Sequence, residues 1–491
     1  MNPTSPTSPV SPPPPASPTA QASAPARAGA PGATERGTPL PGGLKQRHLS
    51  MIALGGVIGA GLFVGSGAGI AAAGPSIVLA YALSGALVLL VMRMLGEMSA
   101  AHPASGSFSV HAERAIGPWA GFTAGWMFWT LLCVAVAAEA IGAAAIMTSW
   151  LPGTESWMWV AVFMALFCGT NLAAVGNFGE LEFWFAALKV FAIAAFLVLG
   201  VLAILGALPG TEAPGTAHLT GDGGWLPNGT EGFLVGLLAS VFAYGGLETV
   251  TIAAAESERP RHGVARAVRT AMWRIALFYV GSMAVIVTLV PWNDASVVKP
   301  GPYVAVLDFL DVPAAAQIMN AVILAALLSA MNANIYGASR MAYSLIARGN
   351  GPAALGRVSG GVPRRAVLAS SAFGFLAVLF SFWWPETVFV WLLNMVGAAV
   401  LVVWGFIAAA QLRGRRRLER EAPERLTVRM WWFPYLTWVA LAGIAAVLLL
   451  MLRDGGTRTQ LFFTGGLTLL LAGTGYLRQR RTGGRGVPAP R

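Results

Sequence analysis

About a dozen apolar stretches, each near the twenty residues that a lipid hydrocarbon core requires, recur along this 491-residue chain. They begin near Met51, Ile77, Trp119, Trp157, Phe183, Gly232, Met272, Ala315, Ala366, Thr387, Phe433 and Gln460. Nothing constrains the fold more, because a backbone crossing lipid must satisfy its own polar groups. The expectation is an all-α integral membrane protein with about twelve transmembrane helices. Only 11% of positions are charged, about half the share usual in soluble domains, which excludes a soluble globular fold.

Residues 1–43 differ, holding 12 of the 31 prolines in a Pro/Ser/Ala/Thr mixture without apolar periodicity. Such a composition cannot pack a core, and it reads as a disordered cytoplasmic tail. It carries no basic segment followed by an apolar one, so no cleavable secretory signal is expected. The membrane domain spans 44–478, and 479–491 form a second basic tail. Cys133 and Cys168 lie in apolar runs without CxxC or Cys/His spacing, so neither a disulfide framework nor a metal site is implied.

With the N-terminus inside, even-numbered connections and both tails are cytoplasmic. On that assignment 28 of the 32 Lys and Arg residues fall inside, only Lys299, Arg453 and Arg458 outside, and Lys189 within span five. The bias matches the positive-inside rule. The formal charge of +11 is therefore topological, and no nucleic-acid partner is expected. The expected location is the plasma membrane, multi-pass, with both termini cytoplasmic.

Residues 55–69, GGVIGAGLFVGSGAG, put seven glycines into fifteen positions of the first span. Each costs a helix interior roughly 1 kcal/mol relative to alanine, which points to a discontinuous helix. An inverted-repeat transporter would show a matching break five spans later, and FAYGGLE (242–248) supplies it with Gly245 and Gly246. The alternative is close helix packing through small residues. Unwound backbone at mid-membrane is tolerated where it lines a protein cavity; there, free N–H groups bind a carboxylate and free carbonyls accept from an ammonium. A zwitterion suits such a site.

Glu139 in span three, Lys189 in span five and Glu248 in span six lie deep in apolar segments, where ionisable groups are functional candidates. The alternatives are snorkelling of Lys189 to the interface and a neutral, hydrogen-bonded Glu139. Enzyme motifs are missing: there is no P-loop, HExxH or GxSxG, and His48, His102, His111, His218 and His262 sit near span ends or in loops, where solvation is the commoner state. No enzyme activity is expected.

The segments LKQRHLSMIALGGVIGAGLFVGSG (44–67), AGPSIVLAYALSGALVLLVMRMLGEM (73–98), GELEFWFAALKV (179–190), AAAESERP (253–260), FYVGSMAVIVTLVPWN (278–293) and ASRMAYSLIARGNGP (338–352) closely resemble the bacterial amino-acid transporter family of the amino acid-polyamine-organocation (APC) superfamily. Within it the chain is most similar to 4-aminobutyrate (GABA) permeases, through MRMLGEM, Glu139-Ala140 and VTIAAAESERP. The resemblance implies a 5+5 inverted-repeat (LeuT-like) core with discontinuous helices one and six, two further C-terminal helices, and alternating access. It implies a substrate carboxylate at the span-one break, Val57 to Gly61 through Ile58, Gly59 and Ala60, and an amino group near Ile52 to Gly55 and Phe242 to Tyr244, through Ala243 and up to Gly245. Lys189 matches a lysine that stands in the sodium place of sodium-driven relatives, and is the first candidate for proton coupling, with Glu139 and Glu248 beside it.

The chain departs from the family pattern at Ala60, at Met331 to Asn334 in span eight and at Met395 in span ten. The expected activity is proton-coupled import of an amino acid, GABA or a related ω-amino acid, without cofactor and with the proton gradient as driving force. The alternatives are a permease for neutral α-amino acids, an exchanger, and a sensor that binds without transport. Glu180 and Glu182, in a short cytoplasmic loop before span five, are expected to pair with Arg259 or Arg261 as an inner gate; the alternative is a solvated loop.

Overall fold

The computed structural model describes residues 58–102, 107–173, 178–209, 213–247, 269–312, 314–356, 358, 362–385, 387–453 and 455–481. All regular elements among these are helices: α1 (Ala60–Phe63), α2 (Gly65–Ala73), α3 (Ile77–Ala101), α4 (Ser107–Ala115), α5 (Pro118–Trp150), α6 (Ser156–Ala173), α7 (Phe178–Ile204), α8 (Gly229–Tyr244), α9 (Gly281–Leu289), α10 (Pro302–Phe309), α11 (Ala315–Ala347), α12 (Arg364–Trp383), α13 (Val388–Glu421), α14 (Tyr435–Met451) and α15 (Gly455–Arg481). A π-helical segment, Ile275–Val280, leads into α9. Nine helical stretches among the described residues are long and apolar enough to cross a membrane, and α8 and α14 are shorter apolar helices. Residues 1–43, including the proline-rich segment, lie outside the described residues. The C-terminal helix runs to Arg481.

The centre of the bundle is α5, which is apolar on every side and mostly buried. It begins with Pro118 after Gly117 at φ 144°, a proline in the first turn where its missing N–H costs no intrahelical bond. At 1.5 Å per residue the 33 residues of α5 extend about 50 Å, beyond a hydrocarbon core of about 30 Å. The 34-residue α13 overshoots likewise, and its last turns carry Arg413 to Arg420.

Segments assigned to one side by charge meet at one end of the bundle. Arg93 Nε donates to the Arg429 carbonyl at 2.9 Å, Arg348 Nη1 to Glu113 Oε2 at 2.7 Å, and Arg478 Nη2 to the Gly349 carbonyl at 2.5 Å. Glu97, 2% exposed, accepts from Gln411 Nε2 at 2.8 Å, from Met430 N–H at 2.5 Å and from the Arg415 guanidinium. At the opposite end Ser76 N–H donates to the Trp225 carbonyl, Asn228 Nδ2 to the Ala72 carbonyl, and Trp292 Nε1 to the Asp222 carbonyl.

The amphipathic α4 packs beneath α5 and α13. Here one expectation is corrected: His111 is buried instead of solvated. Its Nε2 lies 3.4 Å from Ser99 Oγ, and burial, with Arg114 adding to it, pushes its pKa down to about 3. It stays neutral at physiological pH.

In the described part of span one, helix runs from Ala60 after an extended Gly59 (φ −150°, ψ −145°) and is distorted at Val64, while residues 51–57 lie outside the described residues. Gly61 and Gly69 also form a close-packed seam with α8: a β-carbon on Gly61 would lie 2.6 Å from Ala243 Cα, and one on Gly69 3.1 Å from Ala239 Cβ. The second break is direct, because α8 stops at Tyr244 and Gly246 turns the chain at φ 92°.

Candidate functional site

The two interruptions face a common cavity of about 50 Å³. Gly61 lies on one wall and Phe242, Ala243, Gly245 and Gly246 on another, while Leu131, Ala135 and Glu139 of α5 close a third. The remaining wall is Ala330, Ala333 and Asn334 of α11 with Val396 of α13. Small residues at most of these positions bring main chain to the cavity surface, so that a ligand can touch backbone polar groups. A cavity of this size accommodates a few waters.

Glu139 is the ionisable side chain in that lining. It is 7% exposed, and its Oε2 accepts the backbone N–H of Ala60 at 2.9 Å. The bond uses an N–H that the start of α1 leaves without a helical partner. Gly59 makes room for it, since a β-carbon there would overlap the carboxylate. Asn334 adds the neutral polar side chain of the lining. Its neighbour Asn332 turns elsewhere, accepting from Asn171 Nδ2 at 2.8 Å and tying α11 to α6.

Lys189 on α7 is fully buried, so its ammonium does not snorkel to an interface. Its Nζ lies 4.0 Å from Glu182 Oε1, both side chains being 1% exposed. Glu182 in turn accepts from Ser329 Oγ of α11, 2.9 Å from each carboxylate oxygen. This corrects the loop expected at Glu180 and Glu182: both lie in the first turns of α7, which starts at Phe178, and Glu182 faces the interior. Its neighbours there are a lysine and a serine, because residue 182 falls two turns from 189 on one helical face. Arg259 and Arg261, the expected gate partners, lie outside the described residues, as do Ile52, Gly55, Val57 and Glu248.

Of the other expected site residues, Gly61, Phe242, Ala243 and Gly245 line the cavity with Glu139. Ile58, Gly59 and Ala60 are buried behind it. Tyr244 points away, donating its hydroxyl to the Tyr81 carbonyl at 2.9 Å and stacking on Tyr279 with ring centroids 4.8 Å apart. Sequence reasoning did not single out Leu131, Ala135, Ala330 or Val396, whose apolar character carries no signal of orientation. Met395, noted as a departure, is not in the lining, whereas its neighbour Val396 is. Ser329 was not singled out either.

Residues 48–477 match the family model described as amino acid permease. The chain is 46% identical to a probable GABA permease of Pseudomonas aeruginosa, over 91% of this chain and 94% of that protein. It is 44% identical to a gamma-aminobutyric acid permease of Bacillus subtilis, over 91% and 96% respectively. It is also 47% identical to an aromatic amino acid transport protein of Corynebacterium glutamicum, over 86% and 91%.

Proposed function

This chain belongs to the amino acid permease family, a family of multi-pass membrane transporters, and from that premise we propose that it imports GABA or a related ω-amino acid together with protons. The observation that carries the reading is the cavity between the start of α1 and the end of α8, walled by one carboxylate, one amide and small residues. Backbone N–H and carbonyl groups at such interruptions suit the two charged ends of an amino acid. Relatives with GABA in their names and one with aromatic amino acids in its name match at similar identity, so identity does not choose the substrate. Two of these three relatives carry GABA in their names, which supports the ω-amino acid.

For coupling, Lys189 and Glu139 are ionisable groups buried within the membrane bundle, and Lys189 has a carboxylate within 4.0 Å. Moving a proton onto this set changes its net charge where solvent cannot compensate, so protonation and substrate binding become energetically linked. Under alternating access the two interruptions belong to two inverted repeats of five helices, followed by α14 and α15. The charge distribution supports cytoplasmic termini under the positive-inside rule, with the plasma membrane as the location.

The test is reconstitution in liposomes with labelled GABA, with and without an inward proton gradient, and competition by unlabelled α-amino and ω-amino acids. Gradient-driven accumulation blocked best by ω-amino acids is the expected result. Accumulation of an α-amino acid but not GABA would overturn the substrate, and exchange without gradient-driven accumulation would overturn the coupling.

A further inference from the structure

The buried Glu182 has no task in the cavity, and its surroundings suggest one elsewhere. Resting on the reading of proton-coupled import, we propose that Glu182 is the group through which Lys189 passes its proton toward the cytoplasm, so that α7 carries a two-station path beside the substrate cavity.

The geometry has three parts. Lys189 and Glu182 stand seven residues apart on α7 with Nζ and Oε1 4.0 Å apart, so Glu182 lies two turns, about 10 Å, nearer the end of the helix at Phe178. That end is the cytoplasmic one under the positive-inside assignment. The Ser329 hydroxyl, 2.9 Å from both oxygens, fixes the carboxylate from α11. Glu139 of α5 also acts electrostatically on the same ammonium, as does Arg274 at the start of the π-helical segment, and Glu139 acts likewise on Tyr279 of that segment. Lys189 thus feels both the carboxylate at the cavity and the carboxylate toward the helix end.

The transfer conserves charge and atoms. An N–H bond of the Lys189 ammonium breaks and an O–H bond forms on Glu182, turning an ion pair into a neutral amine and a neutral acid. The acid then gives its proton to cytoplasmic water, and the carboxylate is restored. The separation of 4.0 Å exceeds hydrogen-bond reach, so transfer requires one rotamer change or one intervening water. Both neutral groups are easier to hold in a low-dielectric interior than either charge alone.

A purely structural ion pair makes a different prediction. In Glu182→Gln the side-chain carbonyl still accepts from Ser329, but the group cannot carry a proton; Glu182→Asp keeps the acid on a shorter stem. In proteoliposomes with labelled GABA, or whichever amino acid the native protein moves, Glu182→Gln is expected to lower gradient-driven accumulation about tenfold or more. Counterflow exchange should stay near the native rate, and Glu182→Asp should recover accumulation. Loss of exchange and accumulation together, or native accumulation in Glu182→Gln, would overturn the proposal. Should Glu182→Gln not reach the membrane, Glu182→Asp decides alone: a displaced pH optimum of accumulation with unchanged exchange supports the path, and an unchanged optimum overturns it. Native protein that never accumulates substrate against a gradient would refute proton coupling itself, a result obtained before any variant is compared.

Discussion

Ala60 donates its backbone N–H to Glu139 Oε2 at 2.9 Å, joining positions 79 apart in the chain. The start of α1 is therefore held by a carboxylate from the most central helix, on the surface of the cavity. Glu139→Gln should keep this bond, since the amide carbonyl still accepts, and so keep the thermal unfolding temperature while uptake falls sharply. Glu139→Ala leaves the buried N–H without its acceptor and should cost about 1–3 kcal/mol as well. Unfolding in detergent and uptake in liposomes separate the two effects.

Gly59→Ala tests the same contact from the other side. Its β-carbon would overlap the Glu139 carboxylate, so the carboxylate must leave Ala60 or the helix must shift. Uptake should fall while Gly405→Ala, a position whose β-carbon meets nothing within 4 Å, remains at the native level. Equal uptake by the two variants would contradict the contact.

The seam between span one and α8 allows no added methyl. In Gly61→Ala the new carbon lies 2.6 Å from Ala243 Cα, a backbone atom that cannot rotate away. Overpacking of this kind costs about 1–3 kcal/mol, and the unfolding temperature should drop accordingly.

The cluster around Glu97 predicts an asymmetry. Removing one member of a buried charge pair leaves the other uncompensated and costs about 3–5 kcal/mol. Arg415→Met alone should therefore be strongly destabilised. Combining Arg415→Met with Glu97→Gln should be less so, because no buried charge is left unpaired; part of the cost remains, since the amide carbonyl replaces only one of the two carboxylate oxygens, which accept separately from Gln411 and Met430. A double-mutant cycle on detergent unfolding measures the difference.

His111 supplies a pH dependence. Its folded pKa is lowered, to about 3, while the unfolded chain takes up a proton near pH 6.5. Above that pH neither state is protonated and titration contributes nothing. As pH falls from about 6.5 toward about 3 the unfolded state alone gains the proton, so stability declines, by about 2 kcal/mol at pH 5. His111→Gln should flatten the acid limb of the unfolding profile measured between about pH 7 and pH 5.

Helix spans were legible in the sequence because lipid leaves a backbone one local solution, and about twenty apolar residues in a row suffice to announce it. The break after Tyr244 was legible for a similar reason: paired glycines in mid-span weaken a helix wherever the chain folds. Glu139 and Lys189 stood out because ionisable groups are costly in apolar surroundings. Partners were not legible. Glu182 looked like a loop residue near an arginine, and only the longer α7 and its rotation turned it to Ser329 and Lys189. His111 looked solvated because its neighbours in sequence are polar, yet α4 presses it under α5.

The sequence by itself determined the membrane class, the spans, the charge partition between two ends, the second break and the family resemblance, since each depends on composition or spacing along the chain. Tertiary structure decided which face of each helix meets the cavity, that Ala60 is held by Glu139, and that Lys189 pairs with Glu182. Those contacts depend on helix rotation and crossing, which in an apolar bundle are set by packing between distant segments and leave no period in the sequence.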